Sequence, residues 1–233
     1  MNDVKTRTIA TPAVSGPMSN TAGMSAAAGQ VLRNTYKLLA MTLAFSAGVA
    51  SVTASMGLPH PGLMMTLVGY FGLLFLTSYL RNSAWGLLSV FALTGFMGYT
   101  LGPIVAAYLA LPGGADIVTT ALGSTAVVFI GLSYYAQRSS APDMSRFGNF
   151  LLIGILTAFG LGLAAYFLEM PVLSLAVSGM FVLLMSGLIM YQTQAIVRGG
   201  ESNYIMATVT LFVSIYNLFA SLLHLLGFLG GEE

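Results

Sequence analysis

Seven separate stretches of this sequence stay apolar for about 20 residues, the length at which a helix crosses the hydrocarbon core of a bilayer. They run roughly over Lys37–Met56, Gly62–Leu80, Ala84–Leu111, Ile117–Ala136, Phe147–Leu168, Val172–Tyr191 and Tyr204–Leu229. Turn and breaker residues separate them: Pro59 with Pro61, Arg81 with Asn82, Pro112 with Gly113 and Gly114, Pro142, Pro171, and Gly199 with Gly200. In lipid every backbone N–H and C=O must be satisfied within the protein, which leaves helices as the form such stretches take. The pattern predicts an all-α, polytopic membrane protein of seven transmembrane helices. Pro103 falls inside the third stretch and predicts a kink within one span, with neighbouring helices satisfying the freed carbonyl.

The charge content agrees. Only 6% of the residues are charged, against about 25% in soluble domains. A net charge of +1 offers no basic track for nucleic acid. With no cysteine and two histidines, His60 and His224, the chain predicts no disulfide, no metal site and no cofactor.

Two regions are expected. Residues 1–31 are rich in Ala, Thr, Ser, Gly and Met and lack hydrophobic periodicity, which predicts a flexible cytoplasmic tail. No short apolar core follows Lys5 and Arg7, so this segment does not read as a secretory signal. Residues 32–233 form the seven-helix transmembrane domain. Threading the chain through seven spans puts all eight basic residues on one side: Lys5, Arg7, Arg33, Lys37, Arg81, Arg138, Arg146 and Arg198. Asp116, Glu169, Glu232 and Glu233 fall on the other. The positive-inside rule then predicts a cytoplasmic N-terminus and a C-terminus on the opposite, periplasmic side.

Ionisable residues at membrane depth are the first place to look for function. Every Asp, Glu, Lys and Arg lies in the tail, in a loop or near a helix end, which disfavours a proton-coupled pump. In the last helix, Thr210, Ser214, Asn217, Ser221 and His224 recur at spacings of 4, 3, 4 and 3 and so share one face. That polar stripe extends for roughly 20 Å. It serves either interhelical hydrogen bonding or a water-accessible path, and on either reading the last helix is central in the bundle. Gly98 and Gly102, in GxxxG spacing, predict close packing on the third helix. Ser178 and His224 fall at similar depth on neighbouring spans, as a serine hydrolase needs. The context Ala176-Val177-Ser178-Gly179 lacks the earlier Gly of an intramembrane GxSG motif, and no catalytic residue is assigned.

Several motifs together carry a resemblance. Val31-Leu32-Arg33-Asn34-Thr35-Tyr36 leads into the first span, and Thr94-Gly95-Phe96-Met97-Gly98-Tyr99 and Leu101-Gly102-Pro103-Ile104 lie on the third. Gly199-Gly200-Glu201-Ser202-Asn203-Tyr204 opens the last helix, which continues with Ala207-Thr208-Val209 and Ser214-Ile215-Tyr216-Asn217-Leu218-Phe219. Over residues 31–229 the chain resembles the Bax-inhibitor family of seven-helix membrane proteins, in its bacterial YccA-like branch. The resemblance implies a bundle in which six helices surround the last. It also implies a non-enzymatic role in the bacterial inner membrane, where the partner is a membrane-anchored AAA+ protease of the FtsH type that the protein restrains and that also degrades it. The alternative it implies is a pH-sensitive leak for calcium ions, gated by an acid pair on helices six and seven. Here those positions are Gln192, after Tyr191, and Ser214, three residues before Asn217. Neither titrates near neutral pH, so a channel in this chain lacks that sensor, and Gln192 and Ser214 stand as candidate pore or gate positions.

Overall fold

The computed structural model describes residues 25–138 and 140–230. Seven α-helices follow one another: α1 (Ala26–Ser55), α2 (Leu63–Leu80), α3 (Trp85–Leu109), α4 (Gly114–Ala136), α5 (Gly148–Phe167), α6 (Pro171–Val197) and α7 (Tyr204–Gly230). A 3₁₀ turn at Ser145–Phe147 leads into α5. All seven are long and apolar enough to cross a membrane, and no strand occurs among the described residues.

Two boundaries differ from the hydropathy reading by more than a helical turn, each for a local reason. The first helix begins at Ala26, inside the segment read as tail, because the Ser25 hydroxyl accepts from the Ala28 N–H and caps it. Most of the expected tail, with Lys5 and Arg7, lies outside the described residues, as do Glu232 and Glu233. The sixth helix continues past Tyr191 to Val197, carrying Gln192, Thr193 and Gln194 in buried positions. Their polarity ends the apolar run, but the helix itself goes on because it packs against protein. At Pro103 the third helix runs on unbroken.

Packing explains the arrangement. α7 is the most enclosed helix: half of its most apolar 18-residue stretch is buried, against 6% in α2. It packs chiefly against α6, α4, α1 and α3, while α2 and α5 lie mainly on α3 and α6. Phe212, Leu211 and Leu218 of α7 join Leu93 of α3 and Ile189 of α6 in the principal core. The tightest crossing joins α1 to α3. A Cβ on Gly98 would collide with the Ser46 carbonyl, and one on Gly102 with the Thr53 hydroxyl and the Ala50 carbonyl. The glycines let the two backbones touch, the use that small residues find between membrane helices.

One end of the bundle is stapled by its loops. The Asn203 side-chain oxygen accepts from the N–H groups of Ile205 and Met206 at 3.0 Å, capping α7. Its amide donates to the Arg81 carbonyl and the Asn82 side chain, tying α7 to the α2–α3 loop. Gln194 is buried near the end of α6. Its Nε2 donates to the Pro142 carbonyl at 2.8 Å, and its Oε1 accepts from the Met144 N–H at 3.0 Å. Arg198 pairs with Asp143 beside it. This is the basic end, where Arg81, Arg138, Arg146 and Arg198 sit in the joined loops or next to them.

Candidate functional site

The polar stripe of α7 is used in several different ways. Ser214 is fully buried and donates to the Thr210 carbonyl of its own helix at 2.7 Å. Asn217 likewise donates from Nδ2 to the Val213 carbonyl at 2.8 Å. Both back-bonds satisfy a polar side chain without a partner helix. Ser221 is buried and Thr210 half-buried. His224 reaches out: its Nδ1 lies 2.8 Å from the Ser178 hydroxyl on α6. Off the stripe, the Thr208 hydroxyl donates to the Tyr204 carbonyl of its own helix at 2.7 Å and lies 3.3 Å from the Thr35 carbonyl of α1, and Tyr216 meets the Thr100 hydroxyl of α3 at 3.0 Å. The stripe is thus one part of a wider polar interior.

Gln192 sits in the least satisfied part of that interior. Its Nε2 is buried and has no hydrogen-bond partner among the described residues. The same holds for the hydroxyls of Thr193, Thr35, Tyr36 and Ser133. These five belong to α1, α4 and α6, three helices that all pack against α7. All lie towards the basic end: Thr35 touches Thr208 in the first turns of α7, and Ser133 and Thr193 lie about a turn from the ends of α4 and α6. A buried polar group left unpaired costs about 1–3 kcal/mol. Five together single this region out.

Chemistry elsewhere is sparse. Among the described residues no three His, Asp or Glu side chains gather as metal ligands. Beside Asn217 the bundle encloses a cavity of about 290 Å³ bordered by α2, α3, α5, α6 and α7. Sequence reasoning missed two elements here. Gln194 carries no signal in the sequence, since its loop partners lie about 50 positions away. Tyr216 and Thr100, separated by 116 positions, gave no signal of pairing.

These features define a multi-pass helical membrane protein with a buried, uncharged polar interior around its last helix. The chain belongs to the family described as Inhibitor of apoptosis-promoting Bax1, whose model matches residues 28–231. An uncharacterized protein of Pseudomonas aeruginosa is 55% identical over 203 residues, 87% of this chain and 91% of the relative. A protein of Escherichia coli K12 named Modulator of FtsH protease YccA is 50% identical over 199 residues, 85% of this chain and 90% of the relative. An uncharacterized membrane protein of Vibrio cholerae is 41% identical over 205 residues, covering 88% and 92%.

Proposed function

We propose that this chain is a non-enzymatic regulator in the bacterial inner membrane that binds and restrains an AAA+ protease of the FtsH type, and is itself a substrate of that protease. The observation that carries this reading is the 50% identity, over nearly the whole of both chains, to the named FtsH modulator of Escherichia coli. An interior without a carboxylate suits a binding role better than proton-driven transport. Positive-inside asymmetry favours a cytoplasmic N-terminus, and the segment over residues 1–31 that reads as a tail would give the protease a terminus to grip. The protein purified from detergent-solubilised membranes should bring the protease with it, and deleting residues 2–30 should lengthen the protein's own half-life. Cross-linking that recovers no protease contradicts the reading.

A second reading rests on the unpartnered polar atoms at the basic end. Gln192 through its side-chain carbonyl, with the Thr193 and Thr35 hydroxyls, supplies neutral oxygen ligands for a cation path, with Ser214 as a lining position on α7. Such a path would leak cations, calcium among them, without the acid pair that the family resemblance implies, and it would bind calcium weakly because these positions hold no carboxylate. Reconstitution into liposomes loaded with a calcium indicator decides it. Flux that is flat from pH 6 to 8 supports the reading, and no flux removes it.

A further inference from the structure

We propose that the cavity between α2 and α5 is a binding site for an uncharged, lipid-soluble ring compound that carries a carbonyl or phenolic oxygen, the chemistry of a quinone on an apolar tail. This inference stands apart from protease binding and from ion conduction.

The cavity measures about 290 Å³ and has no charged residue in its wall. Six aromatic rings line it: Tyr70, Phe71, Phe96, Phe159, Phe181 and Tyr216. Aromatic walls favour a planar guest, which they meet edge-on or in offset stacks. Its mouth faces lipid, because the wall residues Phe71 and Leu156 are also exposed on the outer surface, at 48% and 61%. Phe71 of α2 and Phe159 of α5 meet edge to face across that side, with ring centroids 5.8 Å apart. A ligand therefore arrives sideways from the bilayer.

Hydrogen-bond bookkeeping shows what the cavity can recognise. The single Thr100 proton goes to the Met97 carbonyl at 2.8 Å, so Tyr216 is the donor in the 3.0 Å bond between them. That leaves the Tyr216 oxygen with acceptor capacity. Asn217 spends one amide N–H on Val213, and its Oδ1 accepts from no described residue. The Tyr70 hydroxyl has no hydrogen-bond partner among the described residues, although it lines the cavity. Two free donors, the Tyr70 O–H and the second Asn217 N–H, and three acceptors, the oxygens of Tyr70, Tyr216 and Asn217, thus face an otherwise apolar space. Tyr70 and Tyr216 lie midway along α2 and α7, so these groups stand near the bilayer centre. A charged headgroup does not rest at that depth, whereas a neutral ring with one or two oxygens does. The Tyr70 hydroxyl donates to its carbonyl, and Asn217 or Tyr216 accepts from a hydroxyl.

The test uses the full chain in lipid nanodiscs with a photoreactive azidobenzoquinone bearing a decyl tail. Cross-links are expected on α2 and α5 peptides. Unlabelled decylbenzoquinone should compete and decylbenzene, of the same shape without oxygens, should not. Tyr70→Phe should weaken competition about fivefold, the factor for one hydrogen bond. Leu156→Trp, at a lipid-facing position that does not disturb the core, should close the mouth and abolish labelling. Equal competition by decylbenzene, labelling spread over the lipid-facing surface, or unchanged affinity in Tyr70→Phe overturns the proposal.

Discussion

His224 on the last helix and Ser178 on α6 share a hydrogen bond of 2.8 Å, and the Ser178 hydroxyl also contacts the Ser174 carbonyl at 3.0 Å. A serine hydroxyl has one proton. A carbonyl can only accept, so the arrangement that makes both bonds spends that proton on Ser174 and leaves His224 to donate from Nδ1. A histidine in that role does not activate a nucleophile. Ser178→Ala is expected to cost roughly 0.6 kcal/mol, the average for a hydrogen bond between membrane helices. Thermal unfolding in detergent measures the cost, and a fluorophosphonate probe should leave Ser178 unlabelled.

Gln194 holds the α4–α5 loop through two hydrogen bonds from a buried position. Gln194→Ala leaves the Pro142 carbonyl and the Met144 N–H without this partner, at about 1–3 kcal/mol for each group that stays buried. Hydrogen exchange should rise at residues 140–147 while α5 stays protected. Unchanged exchange in that loop means the clasp contributes little.

The Asp143 carboxyl is held below the ordinary carboxylate range, first by the Ser145 N–H, which donates to it at 3.0 Å, and also by Arg198. A carboxyl whose pKa falls on folding stabilises the folded form above its unfolded pKa, and that contribution is lost as pH drops through the folded value. The clasp is therefore complete from pH 8 down to 5 and weakens only under stronger acid. Because the side chain is more than half exposed, the gain in stability is small. Carbon NMR of Asp143 should show a low titration point that Arg198→Gln raises only in part, since the Ser145 bond remains.

Gly98 and Gly102 admit no Cβ where α3 touches α1. Gly98→Ala and Gly102→Ala should each destabilise by about 1–3 kcal/mol through overpacking. Gly48 has open space around it, so Gly48→Ala should be neutral or gain up to about 1 kcal/mol from helix propensity. Thermal unfolding of the three variants in one detergent separates the positions.

Hydropathy located all seven helices because crossing lipid demands a continuous apolar run, and proline and glycine marked the breaks. It failed where a helix leaves lipid for protein. Gln192, Thr193 and Gln194 end the apolar run but remain helical and buried in α6. The start of α1 was hidden for a similar reason, since Ser25 and the alanines after it carry a cap and helix propensity without length in lipid. The α7 stripe was legible as a face, because helical spacing fixes which residues align. Its contact with Ser178 was foreshadowed by the matching depth of Ser178 and His224, whereas Thr35 and Thr100, which meet Thr208 and Tyr216 off the stripe, come from distant segments and nothing local signals those pairings. The position of Gln192 came from the family motif, and its unsatisfied amide is visible only in three dimensions.

Restraint of a membrane protease is the property on which the proposed function turns. It is tested most directly by reconstituting the full chain in one vesicle population with an FtsH-type protease and a membrane-embedded client, and following client degradation with ATP present. The rate should fall as the chain is added in stoichiometric excess, and the chain itself should be degraded slowly from its N-terminus. Client turnover that is independent of the chain's amount, with the chain left intact, contradicts the account.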